Sequence, residues 1–190
     1  IDDKPRFQTI NNEKPVGICG SGIIDGVAQT IESGMINQRG GFDLDHPLVQ
    51  AGDKGGKVII ATKEQSGHNR EISITRKDIS EIQLAKGAIQ AGIRLLLTEA
   101  GTTLEDVQKV VIAGAFGSFI DINSAKKIGL FPRLDNHCFK QVGNAAGIGA
   151  KLSLLSTQKR QESANIAKKI EYLELSVHPG FLNEFAKAMR

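Results

Sequence analysis

The sequence predicts an α/β fold, a mixed sheet flanked by helices in layers. Three observations predict it. Short apolar runs of strand length alternate with stretches of helical periodicity. Two of those runs end in glycine turns that open helices, at 114–118 (GAFGS) and 143–147 (GNAAG). One stretch, 78–100, is apolar over so much of its surface that it reads as a central helix buried on more than one side.

The chain opens at Ile1, and its first fourteen residues are polar and poorly patterned, as at a cut inside a longer polypeptide or a processed terminus. Residues 15–34, PVGICGSGIIDGVAQTIESG, read as a glycine-rich turn and a helix. Ser21 is the expected cap, Ile23, Ile24, Val27 and Ile31 the buried stripe, and Gly34 the stop. Residues 35–56 carry the glycines and proline of a loop. KVIIAT (57–62) and EISIT (71–75) are strand candidates, joined as a hairpin by polar 63–70. In the long helix Asp78 is the expected cap, with Glu81 completing a capping box and Gly101 ending it.

Val110 to Ala113 form a short buried strand, and Asp121 or Asn123 caps a short helix reaching Ile128. Residues 139–142 form another strand, and the turn at 143–147 opens a helix through about Ser156. Residues 157–170 are polar and helical, Glu171 to Leu175 read as a last strand, and Pro179 suits the first turn of a closing helix over 179–189.

The 190 residues are 40% hydrophobic and 24% charged, the balance of an ordinary soluble globular protein. The net charge of +3 is modest, and Lys159, Arg160, Lys168 and Lys169 read as a solvated helix face. With no Trp and one Tyr, base-stacking platforms are scarce, so no nucleic-acid partner is expected. No apolar run approaches a membrane span, so none is expected there either. Cys19 and Cys138 stand far apart in sequence without a CxxC pair, which leaves no four-thiolate zinc or iron–sulfur site. Two cysteines without a secretory signal suggest a reducing compartment. His46, His68, His137 and His178 lack ligand spacing, and no metal site is expected.

The most informative stretch is 107–131, VQKVVIAGAFGSFIDINSAKKIGLF. A strand that breaks at glycine lets backbone approach a ligand, and the following helix aims unpaired N–H groups at it. Nucleotide sites use this arrangement, and so do many plain β–α turns. There is no GxxxxGK[ST], and Gly17-x-x-Gly20-x-Gly22 is not the dinucleotide fingerprint. Gly20-Ser21-Gly22 has no neighbouring His for a nucleophile elbow. Asp25 reads as a helix-face or capping carboxylate before it reads as the orienter of a metal-bound water. Cys19 lies in a glycine turn at a helix start, where a thiolate is stabilised, although a small buried residue is the commoner case. Lys86, one turn after Gln83, either snorkels to solvent or hydrogen-bonds a ribose or adenine edge. Phe116 is a hydrophobic lid or core, and core is the expectation.

Four segments taken together resemble a known family: 15–34, ISEIQLAKGAIQAGIRLLL (79–97), VVIAGAFGSFIDINSAKKIGLFP (110–132) and QVGNAAGIGAKLSLLS (141–156). They resemble the C-terminal half of the reductive activators of corrinoid proteins, within the acetate and sugar kinase, Hsp70 and actin superfamily. The resemblance runs from about residue 15 to the end. It implies an actin-like (ribonuclease H-like) ATPase lobe, with 1–190 a single domain and the C-terminal fragment of a longer parent. It also implies a parent with a [2Fe–2S] cluster in a ferredoxin-like N-terminal region. Such a parent spends ATP to return a corrinoid protein of a cytoplasmic methyltransferase system from Co(II) to Co(I).

In that superfamily two Asp/Gly/Thr loops grip the ATP phosphates and Mg²⁺, while a glycine turn in the second lobe holds the adenosine. Gly114, Ala115, Phe116, Gly117 and Ser118 match that turn, and the helix with Gln83 and Lys86 matches the one flanking the purine. This sequence departs from the pattern in having no Asp-x-Gly-Thr loop and no cluster cysteines. The catalytic residues are therefore expected outside it. A non-catalytic docking or dimerisation module, with a possible homodimer, is the other reading. Activators of 2-hydroxyacyl-CoA dehydratases share the fold, but carry bridging cysteines that this chain does not offer.

Overall fold

The structure, a computed structural model, describes residues 5–37, 39–52 and 55–189. Helix α1 (Gly20–Glu32) starts where Cys19, in extended backbone, accepts the Gly22 amide on its Sγ at 3.4 Å. The cap is thus Cys19 rather than Ser21. Gly34 closes the helix at φ +73°, which glycine adopts without strain.

Strands β1 (Val49–Gly52), β2 (Gly55–Ala61) and β3 (Ile72–Thr75) form an antiparallel sheet in the order β1-β2-β3. The hairpin β2–β3 is the one the alternation predicts. Strand β1 falls where a loop was expected; only Val49 of its four residues is buried, so pairing with β2 rather than its own pattern makes it a strand.

Helix α2 (Arg76–Glu99) begins directly after β3. Thr75 is its cap, and Asp78, the expected cap, is the third helical residue of the capping box: its carboxylate accepts the Thr75 N–H at 2.8 Å. Strands β4 (Val110–Ala113) and β5 (Phe139–Gly143) pair in parallel, with α3 (Ile122–Lys127) in the crossover. Asp121 caps α3 by accepting the Ser124 N–H at 2.7 Å. Helices α4 (Ala145–Leu155), α5 (Thr157–Ala167) and α6 (Phe181–Ala188) follow. The described strands therefore form two sheets, one antiparallel and one parallel, instead of one mixed sheet.

The last expected strand, 171–175, is absent; Leu175 instead packs over Gly92 of α2 and leads the chain into α6. Helix α2 is covered on more than one side, by the main core at Ile79 and by α6 at Gly87. Ile79, Gly87, Ala91, Gly92 and Leu95 are buried, while Leu84, Ile89 and Leu96 are exposed. Its glycines serve close packing: a Cβ at Gly87 would lie 2.8 Å from Met189 Cγ, so α6 rests directly on the α2 backbone. The main core joins Ile24, Val27 and Ala28 of α1, Ile74 of β3 and Ile79 of α2 to Ile120, Ala125, Ile128 and Leu130 around α3.

Candidate nucleotide site

Strand β4 ends at Ala113, and Gly114 turns away at φ +98°, a conformation that side chains resist. Its N–H donates to the Gly143 carbonyl at 2.7 Å, and Gly143 itself sits at φ +63°. The two glycine turns therefore leave side by side from the C-terminal ends of two parallel strands. Open α/β sheets bind ligands at such strand ends. A Cβ built on Gly114 meets nothing within 4 Å, so the backbone here faces open space.

Residues Phe116–Phe119 form a 3₁₀ turn. The Ser118 N–H donates to the Ala115 carbonyl at 3.2 Å, and Ser118 Oγ donates to the Gly114 carbonyl at 3.3 Å. Gln141 of β5 donates to the Gly117 carbonyl at 2.6 Å and to the Ile120 carbonyl at 2.9 Å. Sequence reading misses Gln141, because a polar residue in a short strand looks like any solvent-facing one until the parallel pairing brings it beneath the turn.

Phe116 is not core. It is 52% exposed, and its ring lies over Gly20, where a Cβ would come within 2.3 Å of Cε2. A turn at the end of a four-residue strand projects beyond the core, so the ring packs on the start of α1 instead. Gly117 is buried for a different reason: a Cβ there would lie 2.5 Å from Ile112 Cγ2. The turn folds back on its own strand, and the first obstacle to a side chain at 117 is Ile112.

Gln83 donates to the Arg39 carbonyl at 3.3 Å, accepts from Arg76 at 3.3 Å, and lies against Gly40. The Lys86 stem runs past Gly129, and burial lowers its ammonium pKa below the ordinary value. These contacts hold Gln83 against the 39–40 loop and Arg76, and set the Lys86 stem beside Gly129. Asp25 caps nothing; its Oδ1 is buried without a hydrogen-bond partner among the described residues.

Cys19 is exposed beside the Phe116 ring's perch on Gly20. Its Sγ lies 3.4 Å from Ser21 Oγ and accepts the Gly22 N–H, and these bonds hold its thiol pKa below the ordinary value, Ser21 contributing most. A lowered pKa means more thiolate at neutral pH, and the thiolate is the nucleophile. Iodoacetamide should therefore label Cys19 faster than half-buried Cys138 at pH 7, read by peptide mass spectrometry. In a Ser21→Ala variant the labelling rate should rise with pH later, toward that of an ordinary thiol. Equal rates for the two cysteines would contradict the Cys19 environment described. Among the described residues, no three His, Cys, Asp or Glu come together as a metal site.

A family model described as the C-terminal domain of RACo, the ASKHA domain, matches residues 1–190. The chain belongs to that family. Its fold is accordingly the α/β, actin-like one, with helices flanking the sheets. A solved structure titled "Reductive activator for corrinoid,iron-sulfur protein" is 40% identical and superposes with a TM-score of 0.88, covering 97% of this chain and 30% of its own. The corrinoid activation enzyme RamQ of Eubacterium limosum is 35% identical, covering 96% of this chain and 32% of the relative. The [Co(II) methylated amine-specific corrinoid protein] reductase of Methanosarcina barkeri is 29% identical, over 88% of this chain and 28% of the relative. The ASKHA-domain chain thus spans about a third or less of the relatives it matches. Among its described residues no helix is long and apolar enough to cross a membrane.

Proposed function

We propose that this chain is the adenosine-contacting lobe of an ATP-dependent reductive activator, whose whole polypeptide returns Co(II) corrinoid proteins to Co(I). The observation that carries the reading is the pair of glycine turns held together by the Gly114–Gly143 bond, with open space before Gly114. Gly114, Ala115, Phe116, Gly117 and Ser118 contact the nucleoside. Gln83 and Lys86 flank the purine, and for Gln83 to reach it the bonds to Arg39 and Arg76 must give way. The names of the relatives, corrinoid activators and a corrinoid protein reductase, support the substrate class. The rest of the parent supplies the phosphate loops that hold ATP with Mg²⁺ and a [2Fe–2S] cluster. Its partner is a corrinoid protein of a methyltransferase system, in the cytoplasm.

One observation favours a second role, docking or homodimerisation within the same parent: α4 and α5 bury no residue, and Leu154 and Leu155 are exposed. Two glycine variants of the intact parent separate the readings. Gly114→Val places its side chain in open space at positive φ, costing about 1–2 kcal/mol of local strain. It should weaken ATP binding about tenfold or more while the protein stays folded. Gly117→Val drives into Ile112 and should lower Tm as well. If Gly114→Val leaves ATP affinity unchanged and weakens only partner binding, the docking reading stands in place of the nucleotide one.

A further inference from the structure

Resting on the reading of 114–118 as the adenosine contact, we infer that Gln141 is the positioning residue of the nucleotide turn. Both hydrogens of one side-chain amide are engaged, one with the Gly117 carbonyl at 2.6 Å and one with the Ile120 carbonyl at 2.9 Å. Both acceptors are carbonyls, so only the NH₂ end of the amide satisfies them, and its orientation follows from chemistry.

At the far end of the turn, Ile120 packs into the main core and Gly117 lies on Ile112, and the side-chain hydrogen bonds there come from Gln141. The turn's own bonds, Ser118 N–H to Ala115 and Ser118 Oγ to Gly114, tie its start. Strand β5 holds it twice: through the Gly143 carbonyl on the Gly114 N–H, and through Gln141 on Gly117 and Ile120. Gln141 sits opposite Ile112 in the parallel register, and Ile112 is the side chain on which Gly117 lies. The two attachments draw the 117 and 120 carbonyls toward β5 and leave Gly114 facing open space. Gln141 thus acts on the nucleotide through the turn.

The test uses the intact parent and three variants. Gln141→Met keeps the length and removes the donor, Gln141→Glu sets a carboxylate against two carbonyls, and Gln141→Lys restores a donor. The KM for ATP should rise about tenfold in Gln141→Met, the scale of one to two neutral hydrogen bonds, and further in Gln141→Glu. The kcat at saturating ATP should stay within about twofold, and Gln141→Lys should recover most of the affinity. A merely structural residue would lower Tm and the active fraction while leaving KM unchanged, and that result overturns the inference. If Gln141→Met does not fold, equal KM values for Gln141→Lys and Gln141→Glu overturn it. Should Gly114→Val weaken ATP binding while no Gln141 variant does, the positioning role alone falls; should neither matter, the nucleotide reading of the turn falls with it.

Discussion

Purified alone, the 190-residue chain is expected to turn over ATP on the order of a thousandfold or more slowly than its intact parent, and to reduce no corrinoid protein. Phosphoryl transfer is driven by positioning and by neutralising the charge that develops on the phosphates. The two turns at the strand ends, GAFGS and GNAAG, contain no charged side chain. On the proposed reading they seat the neutral nucleoside, but with no charged side chain they do not clamp a triphosphate with its Mg²⁺. Electron transfer needs a redox centre. Cys19 and Cys138 are the only thiols, and neither joins a metal-binding group among the described residues. ATP should still bind weakly, because backbone contacts at Gly114 remain available. Phosphate release and the visible spectrum of an added Co(II) corrinoid protein, both under anaerobic conditions, check the expectation against the parent. Turnover at the parent's rate would mean that a complete site lies within these residues.

The largest stability effect is expected at Ile74. It is 0% exposed in β3, between α1 and α2, and belongs to the cluster that binds α1, β3, α2 and the α3 region together. Helix α1 comes so close that a Cβ at Gly26 would lie 2.5 Å from Ile74 Cδ1, so surrounding backbone has little freedom to collapse into a void. Ile74→Ala should cost about 2–5 kcal/mol, and Ile74→Val about 0.5–1.5 kcal/mol. Leu155→Ala, at an 83% exposed position, should change stability by about 0.5 kcal/mol or less. The midpoint of urea unfolding reads all three. An Ile74→Ala cost no larger than that of Leu155→Ala would place the core elsewhere.

Local chemistry accounts for what was legible in advance. The stops at Gly34 and Gly101, a cap at Asp121 (the alternative was Asn123), the β2–β3 hairpin, and the positions of β4 and β5 with their glycine turns all arise from interactions within a few residues, whereas the burial expected for β4 does not hold, Val111 being 57% exposed. Thr75 takes the cap in place of Asp78 because β3 runs into α2 without a loop, and Cys19 takes it in place of Ser21 because it is Cys19 that sits in extended backbone with its Sγ accepting the Gly22 N–H. Strand β1 and the absent strand at 171–175 were both decided by the presence or absence of a neighbouring edge.

By itself the sequence determined the α/β class, the family resemblance, the lack of a phosphate loop and of cluster cysteines, and the two glycine turns. Each of these depends on residue types or on short-range spacing. Tertiary structure alone decided that the turns meet through Gly114 and Gly143, that Phe116 lies on Gly20 instead of in the core, that Gly117 makes room for Ile112, and that Gln141 holds the turn from beneath. It also decided that Gln83 and Lys86 face Gly40 and Gly129. These are contacts between segments distant in sequence, set by how strands pair and helices pack, and no local pattern encodes which distant backbone will occupy the space a side chain leaves open.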